Sequence, residues 1–283
     1  MYRYSTSSNQ SAFRSNEALS NDQIARYAPS VLAAEAHESR GERYAFIPTI
    51  DVIDGLRQNG FQPYEVRQTR VRDQSKRDFT KHMVRLRHPD AAGSGSEVPE
   101  IILINSHDGT SSYQLLSGFF RFVCSNGLIA GDVQNDIRVR HSGRVVDDVI
   151  EGATRVLDNL ELANESIETF KSISLLPQEQ LLLANSAIQL RWGESAPVKP
   201  ERVLAARRWD DKASDLWTTF NRVQENLLKG GVSGRSANGR RTTTRAVGGV
   251  NENVKLNRAL WSLADGMAKL KQGVVDIEAC TLV

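Results

Sequence analysis

The stretch NSHDGTSSYQLLSGFFRFVCSNGL, Asn105 to Leu128, brings an imidazole, a carboxylate and one of two thiols within 20 residues. A thiolate nucleophile needs a base within hydrogen-bond reach and a lowered pKa. Cys124 instead sits among Phe122, Val123 and Leu128, and an apolar setting raises a thiol pKa. A small buried core residue is the favoured reading of Cys124. His107 and Asp108 are followed by Gly109, and Asp-Gly between Asn, Ser and Thr is turn chemistry. A turn is therefore expected there in preference to a metal or acid–base site. The histidines at 37, 82, 88, 107 and 141 show no HxxxH or HExxH spacing, and no CxxC exists. GGVSGRSANG lacks the GKS/T ending of a nucleotide loop. No catalytic residue, metal ligand or cofactor is assigned. In the aromatic cluster Phe119, Phe120 and Phe122, Phe120 and Phe122 read as core, with Arg121 as the exposed member able to meet a ligand.

Charge points to a different chemistry. Residues 67–88 hold Arg67, Arg70, Arg72, Lys76, Arg77, Lys81, Arg85 and Arg87 against Asp73 and Asp78, a local excess of +6. On strands, residues two apart share a face, so Arg70 with Arg72 and Arg85 with Arg87 would line one basic surface. Arg138 and Arg140 lie in a further short basic strand, IRVRH. The segment 229–249 carries Lys229, Arg235, Arg240, Arg241 and Arg245, six glycines and no acid. Arginine offers forked donors that match phosphate oxygens. Residues 151–192 are acidic, so charge is segregated although the whole chain is only +2.

These residues need elements to hold them. The 283 residues, 40% hydrophobic and 25% charged, suit a soluble globular protein. No 18-residue apolar run or secretory h-region is visible, and two cysteines fit a reducing cytoplasm. Residues 1–28 are polar and are expected to form a loosely ordered arm. TIDVIDGLRQNGF is expected to be a helix with Thr49 as its N-cap and Gly60 as its stop. YEVRQTRVR (64–72), KHMVRLRH (81–88) and EIILIN (100–105) are expected strands, followed by one through about Leu116. From residue 145 onward the apolar spacing turns helical, with later helices over PQEQLLLANSAIQLRW, over RRWDDKASDLWTTFNRVQENLLKGG and over VNENVKLNRALWSLADGMAKL. The fold class is therefore α+β: a basic antiparallel sheet packed by helices over 29–175, then a mostly helical region over 176–283.

The motifs NSHDGTSSYQLLSGFFRFVCSNGL, DLWTTFNRVQENLLKGG and NRALW together resemble a prophage- and plasmid-borne family classed as a domain of unknown function, over roughly residues 40–270. That resemblance implies a bacterial mobile element and carries over no catalytic residue. The order helix, three strands, helix is also similar to Rad-fifty-two-type single-strand annealing proteins, which implies a basic groove for single-stranded DNA in a ring-forming unit. Combined with the charge map, the expected function is a non-enzymatic DNA-binding protein, a helper in annealing or recombination. Its expected partner is single-stranded DNA, with no membrane, and homo-oligomerisation is left open. The alternatives are a metal-dependent nuclease or hydrolase using His107 and Asp108, and a protein-interaction module that counteracts host defence.

Overall fold

The computed structural model describes residues 11–42, 44–88, 97–121, 126–129, 137–139 and 163–273. The chain forms two compact units, Met1–Leu128 with Val133–Leu160, and Ile129–Asp132 with Glu161–Val283. No helix among the described residues is long and apolar enough to cross a membrane. The architecture is α+β, a strand-rich first unit and a helix-rich second one.

The first unit is built on one antiparallel sheet. Its strands are β1 (Ala12–Arg14), β2 (Gln62–Gln68), β3 (His82–Arg87), β4 (Glu97–Asn105), β5 (Tyr113–Arg121), β6 (Asn126–Ile129) and β7 (Ile137–Val139). The order is β1-β2-β3-β4-β5-β6, and β7 also pairs with β5. Alternate side chains go to opposite faces. One face carries Val66, Val84, Leu86, Ile101, Leu103, Tyr113 and Leu115, and it packs against α1 (Asn21–Tyr27) and α2 (Thr49–Gln58) through Ile24, Val52, Ile53 and Leu56. Each such side chain contributes about 1.5–3 kcal/mol when fully buried.

Three local expectations change. Residues 11–28 are not a loose arm: β1 pairs with β2, and Ser20 caps α1 in a reciprocal box with Gln23. Leu19, Ile24 and Ala28 are buried, so a few apolar residues anchor an otherwise polar segment. Thr49 is not the N-cap of α2; Pro48 takes that place, and the Thr49 hydroxyl turns inward instead. β5 runs past Leu116 to Arg121. A Cβ at Gly118 would sit 2.7 Å from the Leu128 carbonyl oxygen, so only glycine admits that close pass of β6.

The second unit contains a helix over 163–172 (α3), α4 (Pro177–Trp192), the short α5 (Pro200–Val203), α6 (Leu216–Lys229) and α7 (Val250–Gln272). Asp215 caps α6, its side chain accepting from the Thr218 amide at 2.7 Å. Thus α6 starts later than RRWDDK suggests, and Trp209–Asp211 is a separate 3-10 turn. Leu183, Ile188, Leu216, Phe220, Leu260 and Trp261 form its core. Phe220 meets Trp261 edge-on at 6.2 Å, and the Gln224 amide donates to Asn257 Oδ1 at 2.6 Å between α6 and α7. The Gly-rich 229–249 segment folds into a hairpin of β8 (Ser233–Arg235) and β9 (Arg241–Thr243).

Candidate functional site

The basic strands of the first unit meet internal acids. Arg85 and Arg87 are 1% and 4% exposed. Glu100, buried between them, accepts from Arg85 Nη1 at 2.5 Å and from Arg87 Nε at 2.8 Å. Glu65 lies 3.7 Å from Arg85 Nε and also pairs with Arg14 and, at 3.2 Å, with Arg67. Burial by itself would raise the Glu65 pKa, but Arg14, Arg85 and Arg67 outweigh it and bring the carboxyl down to about 2. The Arg87 guanidinium also lies 3.7 Å from the Phe120 ring centroid. Arg85 and Arg87 are thus structural cations rather than a solvent-facing surface. Arg121, expected to be exposed, is buried and pairs with Glu97 at 3.7 Å. The sheet uses alternation twice: one face is mostly apolar, and the other sets a buried ionic ladder among Met83, Ile102 and Leu116.

The other strand-region cations fall around the turn after β2. Arg70, Arg72 and Arg77 are exposed and Lys76 is half-buried. Arg70 Nε donates to Ser11 Oγ at 3.0 Å. Lys81 is half-buried, and desolvation lowers its pKa against the pull of Asp108. Arg138 contributes backbone to β7; its side chain, together with Arg140, Phe122 and Cys124, lies outside the described residues.

His107 and Asp108 part company. Asp108 Oδ1 accepts from the Thr110 amide at 3.0 Å and from its hydroxyl, and Gly109 has φ +77. That is the expected turn. His107, fully buried, joins a polar network that sequence reasoning missed. Its Nε2 lies 3.4 Å from Thr49 Oγ1, which is 2.8 Å from His82 Nε2 and accepts from Asn105 Nδ2 at 3.0 Å. His82 Nδ1 faces the Thr80 carbonyl at 3.1 Å, so these partners assign the ring proton to Nδ1 and leave Nε2 as acceptor for Thr49. Burial above all, with His107 nearby, lowers the His82 pKa to about 3. No cluster of three His, Cys, Asp or Glu side chains suited to a metal occurs among the described residues.

The second unit gathers cations at the surface. Arg235 and Arg241 are directly opposite on the β8–β9 hairpin, and both are exposed. Like charges placed directly opposite destabilise a hairpin unless an anion offsets them. The hairpin is one wall of a groove of about 820 Å3 whose other wall is Ala196–Lys199 with Arg202. Lys199, Arg202, Arg235 and Arg241 line it, with the hydroxyls of Ser233, Thr242 and Thr243 and no carboxylate. Glu201 is adjacent in the chain but outside the lining. Arg240 and Arg245 are exposed on the same hairpin and its following loop. The walls are tied by the Arg235 amide, which donates to the Pro197 carbonyl at 2.7 Å. Lys199 and Arg202 were not among the cations that stood out in the sequence; the signal was the cations flanking Pro200.

Gly234 has no room for a side chain, because a Cβ would collide with the Pro197 carbonyl oxygen. Gly234→Ala is therefore expected to separate the two walls. Hydrogen exchange should then show loss of protection at the Arg235 amide while the α6 amides stay protected. Unchanged Arg235 exchange would mean that the tie is not needed.

Comparison with known proteins places these features in a family context. The profile of the family described as "Domain of unknown function (DUF932)" matches residues 36–261. The chain is 51% identical over 253 residues to UPF0380 protein YfjQ of Escherichia coli (strain K12), covering 89% of this chain and 92% of that protein. It is 50% identical over 255 residues to UPF0380 protein YafZ of the same strain, covering 90% and 93%. No solved structure matches it.

Proposed function

The chain belongs to the DUF932 family, and from that premise, which brings no activity with it, we propose that it is a non-enzymatic nucleic-acid-binding protein whose β8–β9 groove holds backbone phosphates. The observation that carries this reading is the four-cation, acid-free lining of the groove. Guanidinium forks and neighbouring hydroxyls suit phosphate oxygens. The exposed Arg70, Arg72 and Arg77 give the first unit a basic surface of its own. Single-stranded DNA is the ligand of first choice, in a role that assists annealing or recombination of a mobile element.

Binding of this kind releases counterions, so log affinity falls with log salt by about 0.7 per phosphate contact on a single strand. A labelled oligothymidylate titrated at several salt concentrations measures that slope. Replacing Arg235 and Arg241 by alanine is expected to reduce it by about 1.4. Affinity independent of salt, or a slope untouched by the double substitution, overturns the reading.

A further inference from the structure

We propose that Trp209 is a stacking platform for an unpaired base at the root of the basic hairpin, which makes the ligand of this unit a strand with free bases. The inference rests on the phosphate reading of the neighbouring groove and extends it from the backbone to the base.

Trp209 is 78% exposed, whereas Trp217 and Trp261 are 3% and 6% exposed in the core. Its exposure does not come from a loose loop. The turn Trp209–Asp211 is fastened on both sides of the indole. Arg208 pairs with Glu225 of α6 and, at 2.7 Å, with Asp211, and both acids are 2% exposed. Arg207 Nε donates to Asn226 Oδ1 at 2.8 Å, and the same guanidinium donates to the Gly230 carbonyl. The turn is pinned and the indole is held outward. The Lys212 ammonium lies 3.5 Å from the ring centroid, which fixes the ring by a cation–π contact and adds positive charge beside it.

The place of the ring in the fold connects it to the groove. The segment from Pro197 to Lys212 is tied at two points, Pro197 to Arg235 in the hairpin and Arg207 to Gly230 just before it. Lys199 and Arg202 lie between those ties in sequence. Trp209 comes two residues after Arg207, whose side chain makes the second tie. An aromatic face continuing a cationic track is the arrangement used for single strands, where backbone charge and base stacking act together. Asp210 is exposed beside the indole and repels phosphate, so the strand must present its base there and its backbone toward Lys212 and the hairpin.

The experiment uses the full chain, a labelled oligothymidylate and an abasic deoxyribose-phosphate oligomer of equal length, read by anisotropy and by tryptophan fluorescence. Oligothymidylate is expected to quench the fluorescence of the native chain. Trp209→Ala is expected to remove most of the quenching and to weaken oligothymidylate binding roughly 5- to 100-fold. Its affinity for the abasic oligomer should stay that of the native chain. Trp209→Phe should recover part of the lost affinity. Equal oligothymidylate affinity in the native chain and Trp209→Ala overturns the stacking role while leaving the phosphate groove standing. Failure of the abasic oligomer to bind even at low salt overturns the phosphate reading and this proposal with it.

Discussion

Glu100→Ala is expected to cost the first unit about 3–5 kcal/mol, the loss typical when one partner of a buried ion pair is removed. Glu100 pairs with Arg87 at 2.8 Å and, of the two acids near Arg85, lies closer than Glu65. Without it, two guanidinium groups stay in a region where they are 1% and 4% exposed. Stabilities of natural domains lie in the range of about 5–15 kcal/mol, so the loss threatens folding itself. Glu100→Gln should lie between the two, because it keeps the volume and a hydrogen-bond acceptor but loses the charge. The urea midpoint followed by circular dichroism measures both variants. A midpoint within error of the native chain for Glu100→Ala would show that water reaches and solvates the arginines.

The second large effect is acid sensitivity in two arms. The His82 pKa is lowered to about 3 in the fold, from an ordinary value near 6.5. Below the ordinary value the unfolded chain takes up a proton that the folded chain refuses, so stability falls as pH falls from about 6.5 toward 3. Between pH 7 and 5 the expected loss is about 2 kcal/mol. The Glu65 carboxyl, lowered to about 2 in the fold, adds a second arm. Its contribution is full above its ordinary value and is lost as pH falls below about 4.5 toward 2. Urea midpoints at pH 7, 5 and 4 separate the two. His82→Gln is expected to lower stability at pH 7 and to flatten the change between pH 7 and 5. If the variant keeps the native slope there, His82 is not the proton acceptor.

The elements whose apolar spacing spans several turns or a full strand were legible in the chain: β3, β4, α4 and α7 fall close to where periodicity puts them. So did the Asp108-Gly109 turn, since its chemistry is local. What was not legible depends on partners far apart in sequence. The Arg85/Arg87 alternation reads as a wet basic face because nothing local reveals that Glu65 and Glu100 stand on the neighbouring strands at matching register. Thr49 reads as a cap because Ser or Thr before a helix usually is one, but His82 and Asn105 claim its hydroxyl from 33 and 56 residues away. The groove was half legible. Arg235, Arg240, Arg241 and Arg245 stood out as an acid-free run, while Lys199 and Arg202 join them only through the backbone tie at Pro197. Trp209 was read as part of a helix, and only the late start of α6 at its Asp215 cap leaves it on a turn of its own.

The ionic face of the sheet also acts as a proofreading device for strand pairing. β3 and β4 are rich in interchangeable aliphatic residues, so hydrophobic burial alone distinguishes poorly between neighbouring alignments. A shift of either strand by one residue turns all its side chains to the opposite face. Arg85 and Arg87, or Glu100, would then be thrust among Ile24, Val52 and Leu56 with no counter-charge, and an unpaired buried charge is among the most costly defects a core can contain. The native alignment, Val84 with Leu103 and Arg85 with Ile102, is the one in which every one of these charges meets its opposite. A misaligned sheet would therefore carry a cost that the native alignment avoids.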